Sequence, residues 1–161
     1  MDITLYRNQL KLDADLETRK ASLFQVAKDH PEEQNEAQMG LEEGDKRYFE
    51  RRCQEGIDDL LALMHRFVTG CQGEKVLEGN GDNRLEDTKQ WVVTLKFDSR
   101  RNIVARSLAN ACHQFVLLTV LHSWAVATMP DLAGQYADRR KAAGLMIQKM
   151  IYHKEPPTLE E

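Results

Sequence analysis

The sequence predicts a mainly α protein: a four-helix bundle-like domain with a short β-strand or hairpin inserted between the second and third helices. Three observations predict it. Apolar residues recur every three or four positions in four long segments, the period of a helix with one buried face. A single short stretch, WVVTLKF at 91–97, alternates instead with period two. Strong punctuation separates the segments, at His30-Pro31, Gly70, GNGDN and Pro130. A chain of 161 residues fits one domain, 1–161, with a real core. Within it, 30–44 is expected as an acidic loop, 70–90 as a loop or hairpin, and 154–161 as a C-terminal tail.

The opening ITLYR reads as a short strand or an extended arm. A first helix is expected over 12–29, capped by Asp13 or Asp15, with Leu16, Leu23, Phe24 and Ala27 as its core stripe. His30-Pro31 ends it, because the residue before proline is pushed out of the α region. A second helix is expected over 45–69. Its buried side would carry Phe49, Cys53, Ile57, Leu60, Leu61, Met64, Phe67 and Val68, with Gly70 as the stop.

The strand 91–97 would point Trp91, Val93, Leu95 and Phe97 one way and Val92, Thr94 and Lys96 the other. Lys75 to Glu78 is a candidate hairpin partner across GNGDN, at a loop length greater than most hairpins use. A third helix over 101–128, capped by Asp98, Ser99 or Asn102, is apolar on more than one face and reads as the central helix. Its most buried positions should include Leu108, Cys112, Phe115, Leu118, Leu121 and Trp124. Pro130 suits the first turn of a fourth helix, 130–153, where its missing N–H costs nothing. That helix would bury Leu132, Tyr136, Ala143, Ile147, Met150 and Ile151.

Composition narrows the function. Charged residues are 30% and hydrophobic residues 42%, ordinary for a water-soluble chain. No run approaches the roughly 18 apolar residues of a membrane span, since the longest uncharged stretch holds His113, Gln114, His122 and Ser123. The opening residues lack the basic-then-apolar order of a secretory signal, so the expected compartment is cytoplasmic. Net charge is −4 and its first fifty residues are acidic, which argues against general nucleic-acid binding. Cys53, Cys71 and Cys112 form no C-x-x-C pair and suit reduced thiols.

The sharpest enzymatic lead is EEQNE, with Glu32, Glu33 and Glu36, followed by Glu42 and Asp45. All-α nucleotide pyrophosphohydrolases of the MazG type hold Mg²⁺ with E-E-x-x-E and E-x-x-D motifs, and hard carboxylate oxygens are what Mg²⁺ prefers. Only five residues separate Glu36 from Glu42, too few to place the motifs on two antiparallel helices, so a solvated acidic loop is the preferred reading. His113 and His122, nine apart, fall on opposite faces of a helix, and His30 and His65 stand alone. Cys112 and His113 point about 100° apart and make no nucleophile–base pair. No catalytic, cofactor or metal residues are assigned. The cationic run Arg139, Arg140, Lys141 reads as a solvated face or a contact for an acidic neighbour, and Trp91 as core or docking surface alike.

The C-terminal half resembles a family of small structural proteins, neck or head–tail connector-like, of phages and prophages of Bacteroides-type bacteria. Phe97-Asp98, Phe115-Val116, Trp124, Pro130, Tyr136 and Lys154-Glu155-Pro156 carry the resemblance, with the opening ITLYRNQLK. It implies a structural virion component: a connector subunit that assembles as a ring beside the portal, non-enzymatic and without cofactor. The implied partners are further copies of itself and virion proteins such as portal or tail adaptor, with no sequence-specific nucleic acid and no membrane. The implied location is the host cytoplasm during assembly, then the virion. The expected subunit contacts are Trp91, Val92, Thr94 and Lys96 on a strand with a free edge, together with Arg139, Arg140 and Lys141. Two other classes remain: a Mg²⁺-dependent nucleotide pyrophosphohydrolase using 32–45, and a small helical adaptor or regulator that binds a protein partner.

Overall fold

The computed structural model describes residues 1–29, 46–72, 90–97 and 103–152. Its elements run β1 (Asp2–Tyr6), α1 (Arg7–Asp29), α2 (Lys46–Leu63), β2 (Val68–Gln72), β3 (Gln90–Leu95), α3 (Ala105–Thr128) and α4 (Pro130–Tyr152). The four helices and a strand hairpin between the second and third match the expected class. The sheet has three antiparallel strands in the order β1-β3-β2.

The strand alternation is realised as read. Trp91, Val93 and Leu95 are buried, Val92 and Thr94 are half-buried, and Lys96 is exposed. The expected free edge is corrected, because β3 is the middle strand. Ile3 pairs with Val93 and Leu5 with Trp91 on one side; Cys71 pairs with Val93 and Gln72 with Val92 on the other. The opening residues are thus a strand, and Ile3 and Leu5 join the core.

A second correction concerns 64–72. The helix expected to reach 69 ends at Leu63, and the chain turns so that Phe67 N–H donates to Met64 O at 2.8 Å. Val68, Thr69 and Cys71 then meet β3, which supplies the hydrogen bonds a lone segment lacks. Gly70 is no helix stop; it sits at a register shift in β2, a bulge position that tolerates a missing side chain. The proposed partner strand at Lys75 to Glu78 lies outside the described residues, as do the 30–44 and 154–161 segments.

α3 is the hub, packed by α4, α2 and α1 in turn. Leu108, Cys112, Phe115, Leu118, Leu121 and Trp124 are all buried in it. It begins at Ala105, later than expected, with Val104 in extended backbone as N-cap and no side-chain cap; Asp98, Ser99 and Asn102 lie outside the described residues. By length and composition α3 is apolar enough to cross a membrane, and 61% of that window is buried inside the fold. In α4, Tyr136, Ile147 and Ile151 are buried and Leu132, Ala143 and Met150 are packed against the core.

α1 overturns its expected face. Leu16, Leu23 and Phe24 are 48%, 49% and 72% exposed, while Leu10, Ala14, Thr18 and Ser22 are buried. The reason is size. Small Ala14, Thr18 and Ser22 with Leu10 occupy the inner face, and the hydroxyls are satisfied within the helix: Thr18 donates to Ala14 O and Ser22 to Thr18 O, both at 2.9 Å.

Candidate functional site: a groove between the second and fourth helices

α2 and α4 both lie on α3 but barely touch each other. They leave an open groove of about 670 Å³ whose floor is Leu63, Phe115 and Gly144. The floor is close-packed: a Cβ on Gly144 would stand 3.3 Å from the Phe115 ring, so glycine lets α4 settle on that ring.

Arg140 spans the groove. Its guanidinium pairs with Asp59 of α2, donates from Nε to Thr119 Oγ1 at 2.9 Å, and stacks 4.9 Å from the centroid of Phe115. Thr119 in turn donates to Phe115 O at 3.0 Å. These contacts hold the guanidinium plane against the floor. His65, His122 and Lys141 add cationic or protonatable groups to the walls, and Gln148 and Tyr152 extend them toward the end of α4. The groove therefore offers an apolar base, with Arg140 paired to Asp59 and Lys141 exposed at its wall.

A smaller cleft of about 240 Å³ lies between α1 and α3, under Leu16, Glu17 and Arg139. Beside it, His113 Nε2 meets Asp13 Oδ2 at 2.7 Å and ties α3 to α1. The phenol of Tyr136 is raised above its ordinary range, first by burial and then by nearby Glu17. His113 and His122 face opposite sides of α3, as their spacing requires.

The expected contact residues do not form one surface. Trp91 is 2% exposed, and its indole N–H donates to Gln54 Oε1 at 3.3 Å. Val92 and Thr94 sit on a strand paired along both edges, and Lys96 is exposed beyond its end. Arg139, Arg140 and Lys141 diverge around α4: Arg139 lies over Tyr136, Arg140 is held by Asp59, and Lys141 is exposed at the groove.

Among the described residues, no group of three or more His, Cys, Asp or Glu side chains is placed to hold a metal ion. Glu32, Glu33, Glu36, Glu42 and Asp45 lie outside them. Two buried thiols are held neutral by desolvation: Cys112 is pushed up to about 12 and Cys53 higher still. Such thiols pack and do not react.

Sequence reasoning missed the groove and the outward face of α1. The small-residue register Ala14, Thr18, Ser22 was the available signal for that face. A scan against protein-family models finds no match, and searches of curated proteins and of solved structures find none either.

Proposed function

We propose that this protein is an assembly subunit, a structural component of a phage virion that acts as a neck or head–tail connector beside the portal. The observation that carries an assembly role is the outward face of α1, where Leu12, Leu16, Leu23 and Phe24 are all about half exposed or more. Scattered exposed leucines are ordinary, but Leu12, Leu16 and Leu23 share one face of α1 with exposed Phe24 beside it, and such a cluster supports a contact surface. The phage assignment rests on the resemblance at Phe97-Asp98, Phe115-Val116, Trp124, Pro130 and Tyr136.

The test is co-expression with the portal protein of a phage from the resembled group, followed by size-exclusion chromatography and negative-stain microscopy. A connector gives a ring-shaped density added to one face of the portal. A portal ring that elutes without this protein overturns the connector reading. A stable one-to-one complex with another protein, and no closure, would replace it with the adaptor reading.

A further inference from the structure

The outward face of α1 has an order along the helix. Leu12, Leu16, Arg19 and Leu23 follow one another at spacings of four, three and four residues, the heptad spacing of a helix that packs along another helix. At 100° per residue they fall within about 60° of one another, on a seam about 17 Å long. All four are exposed, and buried Ala14 and Thr18 face the opposite way, into the fold.

The seam holds one cation among three leucines. Among the described residues the ion pairs of α1 join Arg7 to Glu50, Lys20 to Glu17 and Asp13 to His113, which leaves Arg19 and Asp15 without one. Asp15 stands one turn before Arg19 and about 40° around the helix from it. It is half-buried, and its Oδ1 has no hydrogen-bond partner among the described residues. An unpaired guanidinium and an unpaired carboxylate on one flank of an apolar seam form a self-complementary set, because a two-fold axis across the seam brings each to the other.

We infer that α1 pairs with α1 of a second copy, antiparallel about a two-fold axis that passes between positions 17 and 18. In that register Leu12 packs on Leu23 of the second copy, and Leu16 packs on the aliphatic stem of the second copy's Arg19. The symmetry makes each contact twice. A perpendicular two-fold axis also sets each flank of a helix beside the same flank of its mate. Arg19 then reaches Asp15 of the second copy, and two identical ion pairs border the seam. A parallel pair would set Arg19 against Arg19 and Asp15 against Asp15, so like charges disfavour it. One helix face is smaller than a standard interface, so the pair should form reversibly with concentration. This deepens the reading of α1 as a contact surface and rests on it. A two-fold contact closes at two copies, so a ring needs a further surface, and the two are measured separately.

The experiment uses the full chain in sedimentation velocity, with circular dichroism melting to confirm that each variant is folded. The unaltered protein should pass from monomer to dimer with rising concentration. Leu16→Lys with Leu23→Lys changes two exposed positions and should abolish pairing. Arg19→Glu alone should weaken it by about tenfold or more. Adding Asp15→Arg to Arg19→Glu exchanges the two charges in both copies and should restore pairing, which a general loss of solubility or structure would not do. If the exchanged variant loses its cooperative melt, orientation is tested by disulfide formation instead. Leu12→Cys mixed with Leu23→Cys should cross-link the two variants to each other, with the joined peptides identified by mass spectrometry, and Leu12→Cys alone should not cross-link at that position. The inference is overturned if the unaltered protein stays monomeric at all concentrations, or if the double lysine variant pairs like the unaltered protein. It also fails if the folded charge exchange restores nothing, or if Leu12→Cys copies join each other at that position. Portal binding by a protein that never pairs would sink this inference and leave the connector reading standing. Pairing without portal binding would do the reverse.

Discussion

Trp91 of the middle strand and Gln54 of α2 are joined by an indole N–H to amide oxygen hydrogen bond of 3.3 Å inside the core. Gln54 is 8% exposed and also donates from Nε2 to Asp58 at 3.0 Å. One buried amide thus ties the sheet to the helix layer and satisfies the only polar atom of the Trp91 side chain. Gln54→Leu should destabilise the protein by about 1–3 kcal/mol, the usual cost of stranding a buried donor. Adding Trp91→Phe should cost less than it does in the parent, with a coupling of about 0.5 kcal/mol or more. Urea unfolding of the four proteins measures this; strict additivity would show that the bond contributes nothing.

Gly56 sits where α2 packs tightly on α3. A Cβ there would lie 3.2 Å from both Cα and Cγ1 of Val116 and 3.3 Å from Cβ of Thr119. Two effects oppose each other in Gly56→Ala. Helix propensity favours alanine by about 1 kcal/mol. Overpacking against a backbone atom costs about 1–3 kcal/mol, because neither helix can turn aside. Crowding should win, and the variant should melt lower than the parent. A higher melting temperature would mean that the helices separate at little cost.

What the sequence disclosed follows from how local each signal is. The alternation from Trp91 to Phe97 and the proline at Pro130 are read within a few residues, and both held. β2 was hidden because Phe67 and Val68 also fit the helical spacing of Phe49 to Met64. Only pairing with β3, more than twenty positions away, decides for the strand. The inward face of α1 is not legible from size, because the fold buries Ala14, Thr18 and Ser22 and leaves Leu16, Leu23 and Phe24 outside. The groove is the least local feature of all. Asp59 and Arg140 are 81 positions apart, and no pattern along the chain brings them together.

Phe115 is both core and floor. It is 5% exposed, packs under Gly144 and carries the Arg140 guanidinium on its face. Phe115→Ala should cost about 3–5 kcal/mol, the range for removing a buried aromatic ring. Phe115→Leu should cost clearly less, since it restores most of the volume. A change below about 1 kcal/mol for the alanine variant in urea unfolding would show that the ring is not packed as described.

The buried thiols set a limit on alkaline stability. Cys112, fully buried, is pushed up to about 12 by desolvation, and Cys53 is raised further by the same cause. In the unfolded chain a thiol ionises near about 8.5. Below that pH both states keep the proton, and these groups add no pH dependence. Above it the unfolded state releases a proton that the native state retains, so stability falls as pH rises from about 8.5 toward about 12. Each thiol contributes up to about 1.4 kcal/mol per pH unit in that window. Tyr136, raised by burial, adds to the loss only at higher pH, beyond the ordinary phenol value of about 10. Urea midpoints taken between about pH 8 and pH 10 should therefore fall for the parent. Cys112→Ala, whatever it does to stability at neutral pH, should shed its share and fall less steeply. Equal slopes for the two proteins would show that Cys112 reaches water in the native state.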